Sequence, residues 1–171
     1  MMSRLLFLLF LGSTLLLSTS AFGQRLAYVD VQKLLNSQAD YLEAQEELDG
    51  LAQRWRQEIA QQYDAIKSLY NKYQAEQVLL SDEARKQRED EIMSRETEVR
   101  DLQKKRFGPE GDLFKRRQEL VQPIQDRVFR AIEDYARERG YDFIFDKSSS
   151  AAMIFSNPEY DKTEDVLNKL K

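Results

Sequence analysis

The 171-residue sequence contains no cysteine and no histidine. The first absence excludes disulfides and thiolate chemistry. The second removes the commonest general base and metal ligand. Together they exclude most nucleophile–base pairs and zinc sites. No cofactor and no metal are expected. Carboxylates are abundant but fall on helical surfaces, with no cleft to perturb them, so an enzyme is not expected either. Glycine and proline are scarce, at six and three. Two of the glycines and one proline fall together in Phe107-Gly108-Pro109-Glu110-Gly111, a poor helix interior within helical sequence.

Long apolar runs are missing except at the start. Met1-Met2-Ser3-Arg4 supplies a positive charge, and Leu5 to Leu17 is apolar apart from Gly12, Ser13 and Thr14. Ala21 and Gly23 supply the small residues of a cleavage site before Gln24. Residues 1–23 have the pattern of a cleaved secretory signal. The run is shorter than the ~20 residues a spanning helix needs. The chain is expected to be exported and soluble after cleavage, without stable membrane insertion. Removing residues 1–23 deletes Arg4 and no acid, which leaves 25 basic against 30 acidic residues, a net charge of −5. Nucleic acid is a poor partner for such a chain, because phosphate contacts demand a basic surface.

What is present is mostly helix. Leu26, Tyr28 and Val29 read as a strand, and Asp30 as the N-cap of a helix starting at Val31. From about Asn36 to Leu80, steps of four and three residues pass through Tyr41, Leu48, Ala52, Trp55, Ile59, Ile66, Leu69, Tyr73 and Leu80. That is a heptad-like seam for helix-on-helix packing, interrupted by Gln45, Gln62 and Glu76. Ser81 caps a second helix, with Asp82 and Glu83 in its first turn. The seam resumes through Leu113, Leu120, Ile124, Val128, Ile132 and Tyr135, and Gly140 suits the C-terminal cap. Tyr141, Phe143 and Phe145 alternate in "YDFIF". With "AMIF" at 152–155, which includes Ile154, they read as a hairpin of two strands. A last helix, capped by Asp161 or Thr163, carries Val166, Leu167 and Leu170 on its buried side.

Two long helices meeting at a capped turn predict an antiparallel hairpin with its tip near 80–81. Facing residues then have numbers adding to about 161. This register sets Lys115, Arg116 and Arg117 against the Glu46-Glu47 region. It also sets Gly108, Pro109 and Gly111 against the level of Gly50, the one glycine of the ascending helix. The reading is a bend or hinge across both arms near 50 and 108–111. The alternative is a plain loop between two unrelated helices. Beyond that level each arm runs for about thirty residues, or ~45 Å. Residues 36–120 are thus an arm. Residues 24–35 with 121–171 are a small α+β body, and the candidates for its core or for the core between its copies are Leu26, Tyr28, Val29, Ile124, Val128, Ile132, Tyr141, Phe143, Phe145 and Ile154. So small a core favours oligomerisation. The fold class is mainly α, a long helical hairpin on a small β-containing body.

"LAYVDVQKLL", the charged hairpin, "RVFRAIEDYARERGYDFIFD" and "DKTEDVLNKL", in this order behind a signal peptide, resemble the Skp/OmpH family of periplasmic chaperones over about Leu26 to Leu170. The resemblance implies a homotrimer whose hairpins hang from a common body around a cavity. It implies an ATP-independent holdase that keeps unfolded outer-membrane proteins soluble in the periplasm. The alternative is a structural or adaptor coiled coil of the envelope that docks one partner. For a holdase, Tyr63 and Tyr70, beside the seam, are candidates to face the client, with Trp55 and Tyr73 on the seam as further candidates. Tyr and Trp offer broad contact area with a polar edge. Arg54, Arg56, Lys104, Lys105 and Arg106 are expected to form a basic collar just beyond the bend, either to steer acidic partners or as a solvated face.

Overall fold

A computed structural model describes residues 23–149 and 153–171. Residues 1–22, which hold nearly all of the expected signal segment 1–23, lie outside the described residues, as do residues 150–152. In chain order the elements are β1 (Leu26–Val29), α1 (Val31–Asn36), α2 (Ala39–Glu76), α3 (Asp82–Phe107), α4 (Asp112–Arg139), β2 (Phe143–Asp146) and α5 (Thr163–Leu170), with a 3-10 turn at Pro158–Tyr160.

The helix ends follow from local chemistry. The Asp30 carboxylate accepts from the Lys33 N–H and starts α1. The Ser81 hydroxyl accepts from the Ala84 N–H and starts α3. Gly140 ends α4 in the left-handed region, at φ 68°, which glycine adopts without the Cβ penalty. The tip spans residues 77–81. There Arg85 donates from Nε to the Gln77 carbonyl at 2.8 Å and from Nη2 to the Leu80 carbonyl at 3.2 Å, satisfying oxygens at the C-cap of α2 and in the turn.

α2 packs antiparallel on α3 and then on α4. The register is within a residue or two of the expected one. Trp55 meets Phe107 edge-on, with ring centroids 6.2 Å apart, and Arg116 pairs with Glu47 at 2.8 Å. The break is one-sided, however. The descending chain leaves helix between Phe107 and Asp112, while α2 continues through Gly50 without interruption. Glycine weakens a helix but keeps its N–H and so its place in the ladder. Pro109 has no N–H to give. Gly108 and Gly111 have ordinary negative φ, so close approach is what selects glycine there. A Cβ on Gly108 would run into the Lys104 carbonyl oxygen, and one on Gly111 would lie 2.7 Å from that of Lys105.

Two apolar clusters lie on either side of this level. One joins Val29, Leu34, Leu35, Tyr41, Ala44, Leu48, Val121, Ile124, Val128, Tyr135 and Val166, with Ile132 and Tyr141 packed against it. The other joins Ile59, Ile66 and Val99, with Ile92, Leu102 and Phe107.

The body corrects one expectation. β2 pairs with β1, in parallel, with Leu26 beside Phe143 and Tyr28 beside Phe145. Parallel neighbours need a long crossover, and the crossover is the whole arm. Met153 to Phe155 form no strand, and Ile154 is fully exposed. The other edge of β1 is already engaged, since the Lys162 N–H donates to the Tyr28 carbonyl at 2.9 Å. Within the protomer the two faces of β2 differ. Ile144 packs against the core, while Phe143, Phe145 and Leu26 are exposed in the protomer. Alternation defines two faces without saying which is inward.

Candidate functional site

The four aromatic candidates divide by their place on α2. Trp55 and Tyr73 lie on the seam and are half-buried. Trp55 is sandwiched between the Phe107 edge and the Arg106 guanidinium, whose carbon is 4.7 Å from the indole centroid. The Tyr73 hydroxyl donates to Glu89 across the hairpin, and the bond to that carboxylate raises its pKa above the usual phenol value. Both side chains join the two arms. Tyr63 and Tyr70 sit one heptad apart off the seam and remain 43% and 50% exposed. The Tyr70 hydroxyl accepts from Gln74 of the same helix at 3.0 Å.

Other exposed apolar side chains continue this surface and were not singled out from sequence. Val78 and Leu79 project from the tip, Leu79 with 85% of its surface exposed, and Met93 projects from α3. The signal was present, since "QVLLSD" sets three aliphatic residues in a turn, where turn chemistry favours polar ones. Beside Tyr63 an open groove of about 350 Å³ is floored by Ile59, Ala60 and Phe107 and edged by Arg56 and Gln103.

The basic residues do not form one collar. Lys104 and Lys105 are exposed and line an open cleft of about 600 Å³ with Lys115, Asp101, Glu110 and the glycines of the break. The Arg56 guanidinium lies 6.0 Å from the Phe107 ring centroid. Arg106 turns inward, pairing with Asp112 at 2.7 Å and Glu58 at 3.7 Å. Arg54 is exposed, one turn of α2 from Gly50. Lys104, Lys105 and Arg106 are three successive helical residues, so they cannot share one face.

Among the described residues no three Asp or Glu side chains cluster as a metal site, and no helix is long and apolar enough to cross a membrane.

Three comparisons with known proteins bear on this arrangement. The family model of OmpH-like outer membrane proteins matches residues 25–170. No curated protein matches the sequence significantly. Among solved structures, a crystal structure from Caulobacter crescentus CB15, provisionally assigned as an OmpH-like outer membrane chaperone, is similar in fold. Its TM-score is 0.66 at 12% identity, covering 86% of this chain and 83% of that one.

Proposed function

This chain belongs to the family of OmpH-like outer membrane proteins, and from that membership we propose that it is an ATP-independent holdase of the periplasm. Its clients are unfolded outer-membrane proteins, held between helical arms and kept from aggregating. Three copies join through their bodies, so that three arms (residues 36–120) surround one cavity. The observation that carries the reading is the distribution of apolar surface along the arm. Tyr63, Tyr70, Val78, Leu79 and Met93 are open to solvent on a polar hairpin. The clefts of the arm, one beside Tyr63 and one at the break, are open rather than enclosed. An unfolded barrel strand offers apolar side chains without a fixed shape. A surface of dispersed aromatic and aliphatic contacts accepts many such segments weakly, whereas one deep pocket would select a single ligand.

Self-association has its own support. Leu26, Phe143 and Phe145 form an exposed apolar strip on the outer face of the sheet, and Phe155 and Tyr160 are exposed near it. Monomeric proteins rarely leave such patches uncovered.

The test is aggregation of several unrelated urea-denatured barrel proteins, followed by light scattering without nucleotide. The residue 24–171 protein suppresses scattering at near one trimer per client. Tyr63→Ser with Tyr70→Ser raises the amount needed, because both side chains are exposed and their loss spares the fold. Tight binding to one folded partner with no suppression would replace the holdase with the adaptor reading.

A further inference from the structure

We infer that Arg106 is a latch that fixes the direction of the distal hairpin at the elbow, and that its release frees that hairpin to swing against the body. The backbone carries little across the break. The bonds there are short-range, from the Gly108 N–H to Lys104, from Gly111 to Gly108 and from Lys115 to Gly111. None spans from α3 into α4. The side chain that does span it is Arg106, at the end of α3, whose Nη1 donates to Asp112 in the first turn of α4 at 2.7 Å.

The same guanidinium reaches the third helix. Its Nη2 lies 3.7 Å from Glu58 of α2, and its carbon sits over the ring of Trp55. One planar cation therefore ties three helices at the level where the descending arm is cut. A guanidinium suits this role because its fork serves two carboxylates while its face stacks on an indole. Arg106 and Asp112 are only 25% and 30% exposed, so water and salt screen this pair less than the open pairs elsewhere on the arm. Arg106 Nε is buried and finds no hydrogen-bond acceptor among the described residues. That unmet donor lowers the cost of releasing the side chain to water.

The location matches the mechanics. The elbow separates the body cluster from the arm cluster of Ile59, Ile66 and Val99. Opening the latch therefore removes no buried member of either apolar cluster. The motion it permits is a swing about α2 near Gly50, where the ascending helix is intact but weakest. A larger client capacity for a freed arm rests on the holdase reading, so the latch is tested without client.

The chain has no native cysteine. Lys86→Cys on α3 and Gln118→Cys on α4 can therefore carry one spin-label pair across the elbow, in labelled chains diluted with unlabelled ones. Double electron–electron resonance should give a narrow distance distribution for the parent protein. Asp112→Asn and Arg106→Gln should abolish the narrow peak, and Asp112→Glu should keep it. The emission of Trp55, the one tryptophan, should shift to the red in Arg106→Gln. Glu47→Gln, which breaks the ion pair with Arg116 on the body side of the elbow, should leave the distribution narrow. Helical circular dichroism and melting establish that each variant is folded. The latch is overturned if Asp112→Asn and Arg106→Gln stay as narrow as the parent, or if Glu47→Gln broadens the distribution equally.

Discussion

Thr163 is a buried polar side chain of the body, and it shows how a few residues hold the strand, α1 and α5 together. Its hydroxyl accepts from the Asp30 N–H at 2.9 Å and donates to Asp161 at 2.6 Å. Asp161 also pairs with Lys147 at 2.8 Å, and Asp146 accepts from the Val31 N–H at 3.2 Å. Burial works to raise the pKa of both carboxyls, but hydrogen bonds outweigh it. Those from Lys147 and Thr163 hold Asp161 below the usual carboxylate value, and those from Ser148, Val31 and Ser149 do the same for Asp146. A carboxyl depressed in the folded state contributes stability above its unfolded value, about 3.9, and loses it as pH falls through the folded value. Urea unfolding should therefore show full stability at neutral pH and a decline below about pH 4. Asp161→Asn should lower stability at pH 7 and flatten that decline. An unchanged slope would remove Asp161 from the account.

At the scale of elements the two arms respond differently to the same substitution. Gly50 lies within α2, and the nearest atom to an added Cβ there is the end of the Arg54 side chain at 3.4 Å. Gly50→Ala should raise stability by about 0.5–1 kcal/mol, the usual helix gain. In Gly111→Ala the new Cβ meets main chain at 2.7–3.0 Å, so the loop must shift and stability should fall. Thermal melts of the two variants give opposite signs if the elbow is a built turn. Equal signs would make it an ordinary frayed link. The helices themselves were legible in the sequence because a 3.5-residue seam, caps at Asp30 and Ser81 and a terminal Gly140 all act within one turn. The inward turn of Arg106 was not legible, because Lys104, Lys105 and Arg106 read alike. Only packing against Trp55 and Asp112 distinguishes the third.

For the whole molecule the property to test is assembly. The exposed strip of Leu26, Phe143 and Phe145 predicts that a charge at its centre separates the copies. The protein without residues 1–23 should have the mass of three chains by light scattering. Phe145→Asp should reduce it to one chain while keeping helical circular dichroism. A parent protein that is already monomeric would end the trimeric reading and leave the strip free for another partner.

By itself the sequence determined the helical hairpin, its tip, its register and the position of the elbow, since periodicity, caps and proline act locally. It also limited the chemistry, through the absence of cysteine and histidine. Tertiary structure alone decided that β2 pairs in parallel with β1, that Ile144 rather than Phe143 faces the core, and that 153–155 is not a strand. It also decided that the elbow breaks one arm and not both. Strand partners and the inward face depend on which surface a distant segment covers. That long-range contact leaves no periodic trace in a four-residue strand.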